Sequence, residues 1–228
     1  MLITGASRGI GAHLVRHYLE QNDQVIGCAR GVAALAGERY MHAQVDVTDE
    51  PAVRALFRDI RQRYGGLDVL INNAGIAAMN PVALTPLESA RQVMTTNFLG
   101  TFLFTHAALR LMRTSRVGRI VNFTTVAVPL RLEGEAIYAA SKSAIETFTR
   151  VVAREAASFG ITCNAVGPSP VRTRLTGTVP ADTMDRLIAR QALQRWAALE
   201  DVTNVIDFFL RPESAMVTGQ IVYLGGAG

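Results

Sequence analysis

Tyr138 and Lys142 stand four residues apart in Ile137-Tyr138-Ala139-Ala140-Ser141-Lys142, a segment whose apolar residues recur with the helical period. Four apart on a helix means one face. Lys142 is also the only lysine of the chain, the other 22 of its 23 Lys and Arg residues being arginine. Keeping one lysine beside a tyrosine points to a task a guanidinium cannot do. An ammonium is compact, carries three donors and has an adjustable pKa, whereas arginine is a planar fork that keeps its proton. Beside a phenol with a pKa of about 10, such a charge favours the phenolate and draws the tyrosine toward working pH. The pair therefore predicts proton transfer to or from an oxygen, as in ketone reduction. That chemistry also needs a hydride donor and a second hydroxyl to steady the developing alkoxide.

The hydride source is legible near the start. A short β-branched run, Met1-Leu2-Ile3-Thr4, leads into Gly5-Ala6-Ser7-Arg8-Gly9-Ile10-Gly11 and then a helix-period segment. Glycines at 5, 9 and 11 permit a tight turn and close backbone approach, and the helix N-terminus that follows attracts a pyrophosphate. A site for NAD places an acid at the end of the second strand, about 20 residues on, for the ribose 2′-hydroxyl. Here that stretch reads Cys28-Ala29-Arg30-Gly31, and Arg8 lies in the turn itself. Two guanidiniums and no carboxylate suit a 2′-phosphate, so the expected cofactor is NADP(H).

These residues require a scaffold. Strand-like runs at 24–29, 40–47, 68–73, 118–124, 161–166 and 220–225 follow the first one, several of them apolar nearly throughout, as parallel strands covered on both faces are. Helices are expected at 9–21, 49–63, 86–113, 136–158, 182–191 and 199–210, with Thr85 as cap, Pro86 opening and Glu88 following in the third helix. Alternation of this kind predicts an α/β Rossmann fold, a doubly wound, seven-stranded parallel sheet with helices on both faces. No linker divides the chain, so residues 1–228 are read as one domain, with residues 167–195 as a mobile flap over the site.

Composition narrows the function. Apolar residues make up 49% and charged residues 18%, which describes a globular core. The net charge of +4 raises nucleic acid, but the arginines at 54, 58 and 61 and at 110, 113, 116 and 119 have the spacing of solvated helix faces, without interleaved aromatic residues. The first residues lack a basic and then apolar leader, and no stretch of about 18 apolar residues appears. Cys28 and Cys163 lie in apolar strand-like runs and read as buried free thiols. A cytoplasmic protein that binds neither nucleic acid nor membrane is expected. The histidines at 13, 17, 42 and 106 form no convincing ligand set, and His13 and His17 read as a surface pair without an acid, so no metal is expected.

Further motifs fit this frame: Asn72-Asn73-Ala74-Gly75 after the fourth strand, Asn97 within the long helix, Thr125 after the fifth strand and Tyr138-x-x-x-Lys142. With the glycine turn, and with residues 164–175 and 217–226, they resemble the classical short-chain dehydrogenases/reductases, most of all the β-ketoacyl-acyl-carrier-protein reductases. The resemblance implies that Tyr138 protonates the carbonyl oxygen, and that Lys142 holds the nicotinamide ribose and lowers the tyrosine pKa. It implies that Asn97 anchors a water linking Lys142 to solvent. Cofactor contacts are implied for Gly5, Ser7, Arg8, Gly9, Ile10, Gly11, Arg30, Asp46, Val47, Asn73, Ala74, Gly75, Tyr138, Lys142, Pro168, Val171 and Thr173. Asp46 and Val47 would meet the adenine, and Asn73 to Gly75 the adenosine ribose.

Two residues depart from the family pattern. Thr125 stands where serine is usual, which keeps the hydroxyl but stiffens χ1; were it misdirected, the barrier would rise by about 2–4 kcal/mol. Ser169 stands where glycine is usual in the Pro-Gly turn. The expected substrate is a 3-oxoacyl thioester on an acyl-carrier protein, with a free small ketone or alcohol as the alternative and a non-catalytic dinucleotide-binding subunit as a further one. Arg116 matches one basic residue that the family uses to grip the carrier, and Phe159 stands where a second is common. The resemblance also implies a homotetramer, with a dimer as the alternative.

Overall fold

The computed structural model describes residues 1–32, 35, 37–113, 115 and 117–227. Seven strands, β1 (Leu2–Thr4), β2 (Val25–Ala29), β3 (Tyr40–Gln44), β4 (Val69–Asn72), β5 (Gly118–Phe123), β6 (Ile161–Gly167) and β7 (Ile221–Tyr223), form one sheet in the order β3-β2-β1-β4-β5-β6-β7. Every pairing is parallel. The helices are α1 (Gly9–Glu20), α2 (Glu50–Tyr64), α3 (Leu87–Met94), α4 (Gly100–Met112), α5 (Ala127–Leu130), α6 (Ala136–Ala156), α7 (Ala181–Ala189) and α8 (Leu199–Leu210). Side-chain alternation along each strand feeds two cores. Ile120 and Cys163 pack with Phe57, Phe104, Met112 and Val152 of α2, α4 and α6, while Val121 and Val166 pack with Leu14, Val15, Ile206 and Phe209 of α1 and α8. The strand order reverses between β1 and β4, and ligands of such sheets bind at that crevice.

Differences from the sequence reading have local causes. The strand expected to reach residue 47 ends at Gln44, because Asp46 turns the chain by accepting from both Thr48 N (2.9 Å) and the Thr48 hydroxyl (2.8 Å). The helix expected over 86–113 is α3 and α4 joined by a π-helical turn at Thr95–Leu99. Thr85 is not its cap: its hydroxyl donates back to Pro81 O (3.0 Å), and the helix opens after Pro86. His17 does have an acid, since α8 brings Asp207 to within 3.0 Å of its Nε2. Among the described residues no helix is long and apolar enough to cross a membrane.

Candidate active site

The glycine turn joins β1 to α1 at the sheet's reversal. Gly5 (φ 69°) and Gly9 (φ 55°) occupy the left-handed region that favours glycine, and a Cβ on Gly11 would overlap the Gly5 carbonyl oxygen. Arg8, extended, precedes the helix without capping it, and the first turn of α1 holds no acid, so the leading N–H groups remain for an anion. The turn is clamped to β4. Thr4 Oγ1 accepts from Asn73 N and Ala74 N, both at 3.0 Å, and the Asn73 amide donates to Thr4 O (2.9 Å) and Gly5 O (3.3 Å). Asn72 points into the sheet, where it donates to Thr105 and Asn122, and Asn122 donates to Thr149 of α6.

Arg30, just after β2, and Arg8 of the turn are both exposed. Asp46 lies 3.9 Å from the Arg30 guanidinium and is already engaged by Thr48. Val47 is buried against Gly100, the first residue of α4, where a Cβ would come within 2.8 Å of its methyl. A cradle of tight glycines, an uncapped helix start and two arginines fits a nicotinamide dinucleotide.

The other half of the site comes from β5 and α6. Thr125, Tyr138 and Lys142 line one cavity of about 160 Å³, together with Ile10, Asn73 and Gly75 from the dinucleotide side. Thr125 directs its hydroxyl to Tyr138 and accepts from Ala127 N at 3.2 Å. Thr124 also borders the cavity, but its hydroxyl donates to the buried Glu146 (2.6 Å), which accepts from Tyr223 as well (2.6 Å). The two threonines, which follow β5, thus have different partners: Thr124 is engaged by Glu146, and Thr125 is directed to Tyr138. Lys142, buried on the same helical face as Tyr138, donates to Phe123 O at 2.8 Å. Asn97 is brought in by the π-helical turn, a feature that recurs at functional sites. Its amide is paired both ways with the backbone of Ile76 (2.9 Å each) and donates to Ser141 Oγ (3.0 Å), whose hydroxyl donates to Tyr138 O. A Cβ on Gly75 would lie 3.3 Å from Asn97 Oδ1 and 3.5 Å from Lys142 Nζ, so the glycine keeps open a space that both groups face.

Burial pushes the Tyr138 phenol up to about 12, opposed by the Thr125 hydrogen bond and reinforced by the charge of Glu135, where the resemblance implied a phenol drawn down. Burial also holds Lys142 down at about 8, since an ammonium loses more than an amine on leaving water. Among the described residues no group of three or more His, Cys, Asp or Glu is placed to hold a metal ion.

Residues after β6 roof the cavity. Pro168, Val171 and Thr173 line it, as do Leu175, Val179, Met184 and Leu187 from the expected flap. Ser169 has a physical account. Its hydroxyl donates to Gln191 Oε1, tying the base of the flap to the segment after α7, and Arg172 lies 4.4 Å from the Trp196 ring centre. Arg116 falls outside the described residues. Phe159 is 42% exposed, and Arg113 lies 4.5 Å over its ring, so a cation stands at that spot by stacking. Sequence reasoning missed Glu135, which lines the cavity just before α6; an acid three residues ahead of Tyr138 was the available signal.

A family model described as Enoyl-(Acyl carrier protein) reductase matches residues 5–226. The 3-oxoacyl-(acyl-carrier-protein) reductase of Vibrio cholerae serotype O1 is 32% identical, over 99% of this chain and 95% of the relative. An actinorhodin polyketide ketoreductase solved with NADPH superposes with a TM-score of 0.90 at 31% identity, covering 99% of this chain and 95% of that one. A short-chain dehydrogenase from Leptospira borgpetersenii solved with bound NAD+ gives 0.89 at 27%, over 99% and 91%. With a matching family model over nearly its whole length, relatives of this kind and a seven-stranded parallel sheet, the chain belongs to the short-chain dehydrogenase/reductase family and is an oxidoreductase acting on CH–OH groups.

Proposed function

We propose that this protein uses NADPH to reduce a 3-oxoacyl thioester on an acyl-carrier protein to the 3-hydroxyacyl thioester. The observation that carries the reading is the meeting of Thr125, Tyr138 and Lys142 in one cavity that opens onto the glycine turn. Bound along that turn, the dinucleotide supplies the hydride that forms the new C–H bond. The chain's residues handle the oxygen. Thr125 and Tyr138 hydroxyls donate to the ketone oxygen, and as charge gathers there Tyr138 gives up its proton, so one hydride and one proton are added in all. A phenol at about 12 suits this direction, because it stays protonated at neutral pH and an alkoxide is the stronger base. Lys142 spends one donor on Phe123 O and keeps two for the ribose hydroxyls and the phenolate. The space at Gly75, faced by Asn97 Oδ1 and Lys142 Nζ, suits a water that returns the proton from solvent. Arg8 and Arg30, with no acid at the end of β2, support NADPH over NADH.

The carrier-protein substrate is supported by the relatives' names and by the cation that Arg113 holds over Phe159. The family model's description favours a second reading, reduction of a carbon–carbon double bond in an enoyl thioester. Following NADPH oxidation with 3-oxoacyl and 2-enoyl thioesters, each on carrier protein and on coenzyme A, separates them. We expect turnover of the 3-oxoacyl substrates, faster on carrier protein. Turnover of the enoyl thioesters alone would move the reading to double-bond reduction. Turnover of simple ketones and of no thioester would sink the carrier-protein substrate.

A further inference from the structure

Glu135 is an acid in the cavity without a partner. It follows Gly134, whose left-handed backbone (φ 79°) and whose carbonyl, accepting from Asn80 N at 2.7 Å, seat the turn before α6. Three residues before Tyr138 and immediately before α6, it lines the same cavity as the tyrosine and is only 9% exposed. Its backbone is engaged, the N–H donating to Leu132 O and the carbonyl accepting from Ala139 N. Among the described residues, no side chain or backbone N–H donates to its carboxyl. The cavity that it lines has apolar residues, Leu132, Leu175, Val179, Met184 and Leu187, as well as the polar Thr125, Tyr138 and Lys142.

A carboxyl in such surroundings costs free energy until a donor meets it. Burial accordingly pushes its pKa up. No described protein group supplies a donor to this carboxyl, so it is an acceptor available to a donor that arrives with the ligand.

We infer that Glu135 is a specificity-determining residue that accepts a hydrogen bond from an O–H or N–H group carried by the substrate near its ketone, so that the cavity selects donor-bearing ketones over plain ones. This rests on the reading of the cavity as a ketone site. The donor has two possible sources, a hydroxyl on the acyl chain or an amide N–H in the thiol arm of the thioester. A site built around such a bond discriminates strongly, because a substrate lacking the donor leaves the acceptor buried and unpaired.

Four synthetic thioesters separate the sources. S-ethyl acetoacetyl thioester, without a donor, is paired with the N-acetylcysteamine thioester of acetoacetate, which adds an amide N–H to the thiol arm. S-ethyl 3-oxohexanoyl thioester is paired with its 5-hydroxy derivative. kcat/KM with NADPH is measured for the protein as it stands, for Glu135→Gln and for Glu135→Leu. We expect the donor-bearing member of one pair to be favoured at least about tenfold. That ratio falls toward one in Glu135→Leu and lies between in Glu135→Gln, whose amide oxygen still accepts. The pair that shows the effect identifies the source. A merely structural role lowers all four values by one factor and leaves the ratios unchanged. Ratios near one in the unaltered protein, or ratios unmoved in both variants, overturn the inference while leaving the ketone-site reading intact. Failure of the unaltered protein to reduce any of the four overturns the ketone-site reading and this one with it.

Discussion

Replacing each of the two adjacent threonines by valine separates chemistry from stability. Valine matches threonine in shape, so neither change opens a cavity. In Thr125→Val the loss falls on the hydroxyl directed at Tyr138 and the reacting oxygen. Removing one donor of this kind costs about 2.7–4 kcal/mol in barrier, or roughly 10²–10³ in kcat. In the fold it gives up one accepted bond, from Ala127 N at 3.2 Å, worth about 1 kcal/mol. Thr124→Val reverses the balance. It removes one of two hydroxyls that donate to the buried Glu146, each at 2.6 Å, a bond worth about 1.5–3 kcal/mol if the carboxylate is charged. At about 2–4 °C per kcal/mol for a chain of this size, the melting midpoint falls by roughly 3–12 °C. We expect Thr125→Val to lower kcat for NADPH-dependent ketone reduction about a hundredfold or more with a small thermal shift. Thr124→Val should keep kcat within about threefold and show the larger shift, and Thr125→Ser, which retains the donor, should stay within about tenfold of the parent. The measurements are NADPH oxidation at saturating ketone and thermal unfolding of the same preparations. If Thr125→Val kept its turnover, or if Thr124→Val were the inactive variant, the assignment of Thr125 as the donor would be refuted.

Two other predictions concern charge. Lys142 is held at about 8, against an ordinary 10.5. Its ammonium is therefore lost as pH rises through about 8, and kcat/KM for NADPH should be level below that point and fall by up to about tenfold per unit above it. Lys142→Met should abolish the fall, and Lys142→Arg, forcing a planar fork into a buried site, should lower kcat on the order of a hundredfold. Between about 8 and 10.5 the unfolded lysine binds more protons than the folded one, so this residue makes stability rise with pH across that window. Replacing Arg8 and Arg30 together by alanine should raise KM for NADPH at least about tenfold and leave KM for NADH nearly unchanged, since charge-assisted bonds to a 2′-phosphate are the contacts removed. An equal change for both cofactors would refute the 2′-phosphate assignment.

Several features were legible in the amino-acid order because they are local. Four-residue spacing puts Tyr138 and Lys142 on one face of any helix, glycines at 5, 9 and 11 permit one kind of turn, and strand–helix alternation admits few topologies. Other features depend on what distant segments bring together. The helix over 86–113 reads as continuous, yet a π-helical turn interrupts it and seats Asn97 against the backbone of Ile76. His17 gained Asp207 from a helix 190 residues away.

The protonation of the site was the least legible part. From spacing alone the lysine should draw the phenol down, and it would do so in water. The packed cavity withdraws both groups from solvent, and desolvation penalises charge, so the phenol rises and the ammonium falls. Glu135 teaches the same point, since an unremarkable acid before a helix acquires meaning only when the fold places it in the cavity with Tyr138 and without a described donor. Residue order by itself determined which groups share a face and where the backbone must bend, because those follow from dihedral geometry over a few residues. Tertiary structure decided their charge states and their partners, because solvent exclusion is set by segments far apart in the chain.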